Sequence, residues 1–568
     1  MQVKTKIYTL VCAEDRPYVY LHSADGSLIA ALFVPGSVHT LGGQDDTTAL
    51  ENWSLDENGD ETVLRLEARS SLWDKKIYRF RCSSTRFRFE TEMTGRGHLT
   101  DVHYFGGYYS GQPRWGSGFF WSGHCLERGF NPEPTTDEDY YFAPSAGSLI
   151  DLTGVPIQGK AGWFFTPPPY CFAFEYDTSE DEQGWLGVGV EAPPGENTYT
   201  DFHYRSQRSG FHFSLAYEGH TEVDGTYELP ALGFDFARDE YEALGAHVTA
   251  LRARRFVPVS KVEVKPDWWR EPIFCGWGSQ CHLATQAGGH APDFSRQEHY
   301  EDFLETLQAH DLSPGTVVVD DKWQRTYGEN RVDEVKWPDL TGFIAEQHAA
   351  GRKVLLWLKA WDPEGVPVEE CVTNAAGLPL SVDPTNGSFE KRFRSSVRTM
   401  LADYDADGFK LDFTARIPSG PGLNKYGSAW GLEMMRLYLG ILYDETKKTK
   451  PDALLMTHTP HPYLGDVLDM IRLNDINTGR AVGPAMRHRA RVASLALPDT
   501  LIDTDNWPMP DLAAWRAYTE LQAELGIPSL YFVSHIDKTG EALSESDYAL
   551  VRNVWRRHRA KKGTVYAD

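Results

Sequence analysis

The 568 residues carry 56 Lys and Arg against 81 Asp and Glu, a net charge of -25, and a surface that acidic repels nucleic acid and anionic membranes, which excludes both as partners. No window approaches the ~18 consecutive apolar residues of a membrane span, and the N-terminal "MQVKTKIYTLVCAEDRPYVY" lacks the apolar stretch of a signal peptide, so a cytoplasmic location is expected. Seven scattered cysteines, Cys12, Cys82, Cys125, Cys171, Cys275, Cys281 and Cys371, contain no CxxC pair and fit a reducing compartment better than a disulfide framework.

This length predicts two or three domains. Residues 1–236 alternate apolar with polar positions in "TVLRLEAR", "IYRFRC", "TRFRFETEM", "YCFAFEY" and "GFHFSLAYEG", the pattern of an antiparallel β-sandwich. Within them "GYYSGQPRWGSGFFWSG" (107–123) reads either as a loop lining a site or as packing. Residues 237–262 form a linker with a helical start, "ARDEYEALGAHVTALRARR". From 263 to 568 the pattern becomes strand then helix, repeated.

The strands of this last region are read as 273–279, 315–321, 353–361, 408–413, 453–458, 470–475, 500–505 and 529–535. Amphipathic segments such as "RQEHYEDFLETLQAH", "LTGFIAEQHAAG", "EKRFRSSVRTMLADYD" and "LAAWRAYTELQAELG" lie between them. Eight such units predict an α/β fold, a (β/α)8 TIM barrel, and no Gly-rich phosphate loop favours a doubly wound sheet instead.

In such a barrel the C-terminal strand ends face one site. Here those ends carry Trp277; Asp320, Asp321 and Trp323; Trp357, Lys359 and Trp361; Lys410 and Asp412; His458; Arg472 and Asp475; Asp503 and Asp505; and His535 with Asp537. In "GFKLDF" the alternation puts Lys410 and Asp412 on one strand face, as a structural ion pair or as a catalytic carboxylate with a ligand-holding lysine. Carboxylates, a few bases and several indoles on one rim are what sugar chemistry asks for. A metal site built on His458, His461 and His535 is a rival reading, although HxH and HExxH motifs are missing. A Ser or Cys nucleophile lacks its GxSxG elbow, and Cys275 and Cys281 read as packing residues.

Three of these stretches resemble the α-galactosidases of glycoside hydrolase family 36 and, more loosely, families 27 and 31 of the same clan. "VVVDDKW" is similar to a strand-two pattern whose aspartates hold sugar hydroxyls, "GFKLDF" to a strand-four motif with a hydroxyl-binding lysine and a nucleophilic aspartate, and "DMIRLNDI" to a strand-six motif with an arginine and an acid/base aspartate. "LIDTDNW" and "IPSLYFVSHID" look like strands seven and eight of the same group. Two positions depart from the pattern: Lys322 stands where relatives carry a small or apolar residue, and Arg472 precedes Asp475 by three residues rather than four. Asp505 in "TDNW" also resembles an acid/base position, and only the strand count prefers Asp475. The family's small C-terminal β-domain is not expected after the last helix, "SESDYALVRNVWRRHRAKKG".

The resemblance implies a retaining α-glycoside hydrolase acting on an oligosaccharide or glycoside, with α-galactoside the leading substrate. Asp412 would be the nucleophile and Asp475 the acid/base; Trp277, Asp320, Asp321, Trp357, Lys410, Arg472 and Asp505 would bind substrate. No metal or organic cofactor is implied, and a homo-oligomer is compatible with the family. Another glycone, transglycosylation on the same site and a silent carbohydrate-binding protein stay open as alternatives.

Overall fold

The computed structural model describes residues 1–119, 129–130, 141–142, 167–178, 183–207, 210–262, 264–476 and 481–564. The end of the 107–123 stretch lies outside the described residues. The sandwich strands form as read, within Glu61–Ser70, Lys75–Cys82, Arg86–Tyr104, Cys171–Asp177 and Gly210–Glu228. They belong to a large sheet that is antiparallel except for one short parallel pair; a second, five-stranded antiparallel sheet is built mainly from residues 2–33. Arg86–Tyr104 and Gly210–Glu228 are each 19 residues long and pair with each other along most of that length. Rings stack between the strands, Phe87 on Phe234 at 4.4 Å and Phe89 beside Phe105 at 4.3 Å.

The second half is an eight-stranded parallel sheet: β1 (Ile273–Cys275), β2 (Thr316–Val319), β3 (Lys353–Lys359), β4 (Gly408–Asp412), β5 (Leu454–Thr457), β6 (Met470–Arg472), β7 (Leu501–Asp503) and β8 (Ser529–Leu530). Each strand pairs with the next in sequence and β8 returns to β1. The ring closes by one parallel bridge, Asp503 to Ile527, with Ile527 N–H donating to the Ile502 carbonyl at 2.8 Å. All eight strands fall inside the expected segments, but most are three to five residues long because the chain leaves the ladder as soon as it reaches the rim. Gly408 has φ of +142° and a Cβ there would strike the Leu454 carbonyl, so only glycine lets β4 lie this close to β5.

The crossover helices begin where a short polar side chain takes orphan amides: Asp339 before Leu340–Ala349, Asn386 before Gly387–Arg398 and Asp511 before Leu512–Leu525. Two long helices, Gly431–Thr449 and Val482–Ala496, were not among the segments singled out from the sequence. Within 237–262 the helix Glu240–Ala253 is no free tether. It buries Tyr241, Ala243, Leu244 and Val248, and the Tyr241 hydroxyl meets His488 of the barrel at 2.8 Å.

The two halves also meet at the loop after β4. Gly420 N–H donates to Glu218 at 2.8 Å, His220 contacts the Gly420 carbonyl at 2.8 Å, and the His220 ring lies 3.8 Å from that of the buried Trp430. Glu433, in the first turn of the following helix, accepts from the backbone of Gly195 and Asn197.

A fully buried ion pair ties the N-terminal sheet internally: Lys76 Nζ donates to Asp45 at 2.7 Å, to Thr47 at 2.7 Å and to the Gly36 carbonyl at 2.8 Å. Lys76→Met leaves the Asp45 carboxylate buried without its cation, and we expect a loss of about 3–5 kcal/mol in chemical denaturation.

Candidate active site

The strand ends do converge, and a guanidinium stands at their centre. Arg472, the last residue of β6, is buried to 1% exposure. Its Nη2 donates to Asp412 Oδ1 at 3.0 Å, and its Nη1 is shared between Asp475 Oδ1 at 3.0 Å and Asp505 Oδ2 at 2.6 Å. One planar cation therefore holds three carboxyls from β4, β6 and β7. The two terminal nitrogens of a guanidinium are ~2.3 Å apart, so the Asp412 and Asp475 oxygens they bind lie within about 8 Å of each other.

The three carboxyls are not equivalent. Asp412 receives the Phe413 N–H at 2.8 Å and the Trp357 indole N–H at 3.4 Å besides Arg472. Asp505 receives the Asn506 N–H at 2.6 Å and the Trp507 N–H at 3.0 Å besides Arg472, and it is wholly buried. Among the described residues Asp475 has the guanidinium alone, and it keeps 48% of its side-chain surface exposed. Burial works against the Asp412 charge, but Arg472, with Lys410 and the Phe413 N–H, outweighs it and holds that carboxyl well below the usual range. At Asp475 the crowding of the pocket comes first, and repulsion from Asp412 and Asp505 adds to it, so despite Arg472 the pKa rises to about 6. Asp503, behind Asp505, is raised to about 6 by burial and by Asp505.

The backbone is bent to achieve this. Phe413, Asn474 and Asp505 all have left-handed φ, 59°, 65° and 55°. Such a conformation costs an L-residue ~1 kcal/mol or more, and here it recurs beside each of the three carboxyls.

Lys410 and Asp412 do share a face, but they do not bond to each other. Lys410 Nζ pairs with Asp320 Oδ2 at 2.7 Å and touches Cys275 Sγ at 3.5 Å, while that thiol donates to the same oxygen at 3.0 Å. Of the two readings of "GFKLDF", the direct ion pair is not formed; two crosswise pairs stand in its place, Lys410 with Asp320 and Asp412 with Arg472. Cys275, read as packing, is part of this charged floor. Asp321 accepts from the Tyr327 hydroxyl at 2.8 Å and is raised to about 7, first by burial and then by Asp320. Lys322 reaches Glu364 at 2.8 Å and lies 4.2 Å from the Tyr327 ring, whose distance to Lys359 is 4.0 Å.

Of the aromatic candidates, Trp357 reaches Asp412, and Trp277 opens the helix Trp277–Ala287, with its ring 5.7 Å from that of Trp507. Trp323 and Trp361 do not line the site: both are buried, bonded to the carbonyls of Trp357 and Thr414. His458 lies 3.7 Å from Asp412 with its other nitrogen 2.6 Å from Thr414; burial lowers its pKa to about 3 and keeps it neutral. His461 caps the turn Pro462–Leu464 and His535 stacks on His282 at 4.4 Å, so the three histidines of the metal reading do not converge. Among the described residues no group of three His, Cys, Asp or Glu is disposed to hold a metal ion. Tyr327 and Tyr531, whose ring lies 5.1 Å from Lys410 Nζ, were not singled out in the sequence: Tyr327 stands outside any periodic segment, and Tyr531 reads as one more apolar residue of the eighth strand.

Comparison with known proteins bears on the fold. No protein-family model matches the chain, and no curated protein matches it. Solved structures do. A GH31 family sulfoquinovosidase from E. rectale is 12% identical over 99% of this chain and 83% of its own, with a TM-score of 0.59. A GH36 α-galactosidase from Geobacillus stearothermophilus in complex with raffinose is 10% identical over 99% and 86%, with a TM-score of 0.56. An α-galactosidase from Lactobacillus brevis is 11% identical over 99% and 83%, with a TM-score of 0.52. The chain has the fold of these enzymes: an N-terminal β-sandwich followed by a (β/α)8 barrel. Among the described residues no helix is long and apolar enough to cross a membrane.

Arg472→Met removes the only cation that, among the described residues, is bonded to Asp412 and Asp475, so the folded-state pKa values of these two rise above the unfolded ones. The folded state then binds more protons, and stability falls as pH rises. The thermal midpoint of this variant is expected to fall further below wild type at pH 7 than at pH 5, as read by calorimetry.

Proposed function

We propose that this chain is a retaining α-glycoside hydrolase, with Asp412 as nucleophile, Asp475 as acid/base and residues 263–568 as the catalytic region. The observation that carries the reading is the unequal treatment of two carboxyls on one guanidinium: among the described residues Asp412 is held ionised by three donors, while Asp475, with one donor and an open face, retains its proton to about pH 6. A double displacement needs that pairing of an ionised nucleophile with a protonated acid. Asp505 has no exposed surface to offer a leaving group, which supports Asp475 as the acid/base and leaves Asp505 to position Arg472.

In the first step an Asp412 oxygen bonds to the anomeric carbon, the glycosidic bond breaks, and the Asp475 proton passes to the departing oxygen. Asp412 loses its charge to the ester as Asp475 gains one, so Arg472 faces the same total charge throughout. Asp475 then takes a proton from water, whose oxygen displaces Asp412. Asp320 with Lys410, Asp321, Trp357 and Trp277 supply hydroxyl and ring contacts, with α-galactoside the first substrate to try because two of the fold neighbours act on it. A sulfoquinovoside joins the trial because one of the fold neighbours is a sulfoquinovosidase.

A panel of aryl α-glycosides (galactoside, glucoside, xyloside, N-acetylgalactosaminide and sulfoquinovoside) tests the assignment. Asp412→Ala should lose on the order of 10⁴-fold in kcat, with azide restoring part of it as a glycosyl azide of inverted configuration; full activity in this variant would remove Asp412 from the mechanism. For kcat/KM, the Asp475 proton predicts a fall of tenfold per pH unit above about 6 with a sugar leaving group. With glycosyl fluoride, which leaves without a proton, that limb should disappear.

A further inference from the structure

We propose that Trp277, Trp507 and Asp537 form the seat of the leaving group, a pyranose that lays its apolar face against the indoles and donates a hydroxyl to Asp537. The proposal rests on Asp475 as the acid/base, because the proton donor fixes the side on which the leaving group departs.

Trp507 is fastened beside Asp475 at three points. Its N–H donates to Asp505 at 3.0 Å, its carbonyl accepts at 2.9 Å from Ile476, the residue that follows Asp475, and its indole N–H donates to Asp537 Oδ2 at 3.1 Å. The Trp277 ring stands 5.7 Å away at 77°, so the two indoles make a corner, and both are only half-buried.

The remaining oxygen points to a ligand. Asp537 is 8% exposed; its Oδ2 accepts the Trp507 indole N–H, and its Oδ1 is buried without a hydrogen-bond partner. A carboxylate present only to fix Trp507 would have its second oxygen satisfied by the protein. A corner of indole with one free acceptor matches a sugar: C–H groups for the ring faces and one hydroxyl for the oxygen.

The test compares two substrates of whichever glycone wild type hydrolyses: the α-glycosyl fluoride, whose leaving group has no ring, and a disaccharide. Trp507→Ala and Asp537→Asn should lower kcat/KM for the disaccharide at least tenfold more than for the fluoride, mainly through KM. Trp507→Phe, which keeps a ring and guards against misfolding of the alanine variant, should recover most of the loss. Equal losses on both substrates would overturn the proposal. A second measurement, intrinsic fluorescence during titration with D-glucose, does not need turnover. A saturable change in wild type that is lost in Asp537→Asn supports the seat, and no change in wild type overturns it. Failure of the glycosidase reading shows separately, as wild type that hydrolyses no glycosyl fluoride.

Discussion

One buried guanidinium organises this protein. A charge as deeply placed as Arg472 is tolerated only when paired, and pairing it with three carboxyls creates a site with more anionic positions than cations to match. The excess must be relieved by a proton, and hydrogen bonding decides where that proton sits. Asp412 and Asp505 each collect backbone amides as well as the cation, and among the described residues Asp475 collects none. The difference between these carboxyls thus follows three backbone N–H groups. Lysine at 472 would keep the charge but lose the planar fork that reaches two strands at once.

Around this cluster, charge is balanced locally. Lys410 neutralises Asp320 on the floor, Lys359 meets Asp362, and Lys322 meets Glu364. Asp321 has no such cation bonded to it, only the Tyr327 hydroxyl, and it is the floor carboxyl whose pKa rises to about 7. The same logic governs the N-terminal sheet, where Lys76 and Asp45 are both fully buried and use a threonine and a carbonyl to complete the ammonium's bonds.

Much of this was legible in the sequence, and the limits have physical causes. Strand existence survived because alternation and apolar runs report burial, and all eight barrel strands fall where the pattern placed them. Strand ends did not: "IFCGWGS" is a strand for three residues and a helix from Trp277, since a left-handed or helical turn at the rim has no periodic signature. The rim residues came from topology, so Asp412, Arg472, Asp475 and Asp505 could be gathered before any distance was known. Pairing could not. Lys410 and Asp412 are neighbours on one strand face, yet each finds its partner two strands away, Lys410 at the end of β2 and Asp412 at the end of β6, because side chains from non-adjacent strands meet inside a closed barrel. Trp323 and Trp361 misled for the opposite reason: an indole after a rim strand can as well pack beneath the loop as line the pocket.

The N-terminal sheet enters the site's energetics through the loop after β4. That loop begins at Phe413, whose left-handed backbone turns its N–H onto Asp412, and it must stay bent for Asp412 to keep that donor. Nothing in the loop's own sequence, rich in glycine and proline from 418 to 423, would enforce the bend. The enforcement comes from outside: Glu218 and His220 on a long strand of the sheet grip Gly420 from both its N–H and its carbonyl, and His220 presses on Trp430 where the next helix begins. Glu433 then ties that helix's first turn back to residues 195 and 197. A flexible segment is thereby clamped at its middle and its end by a rigid antiparallel sheet, which makes the sheet part of what keeps Asp412 ionised.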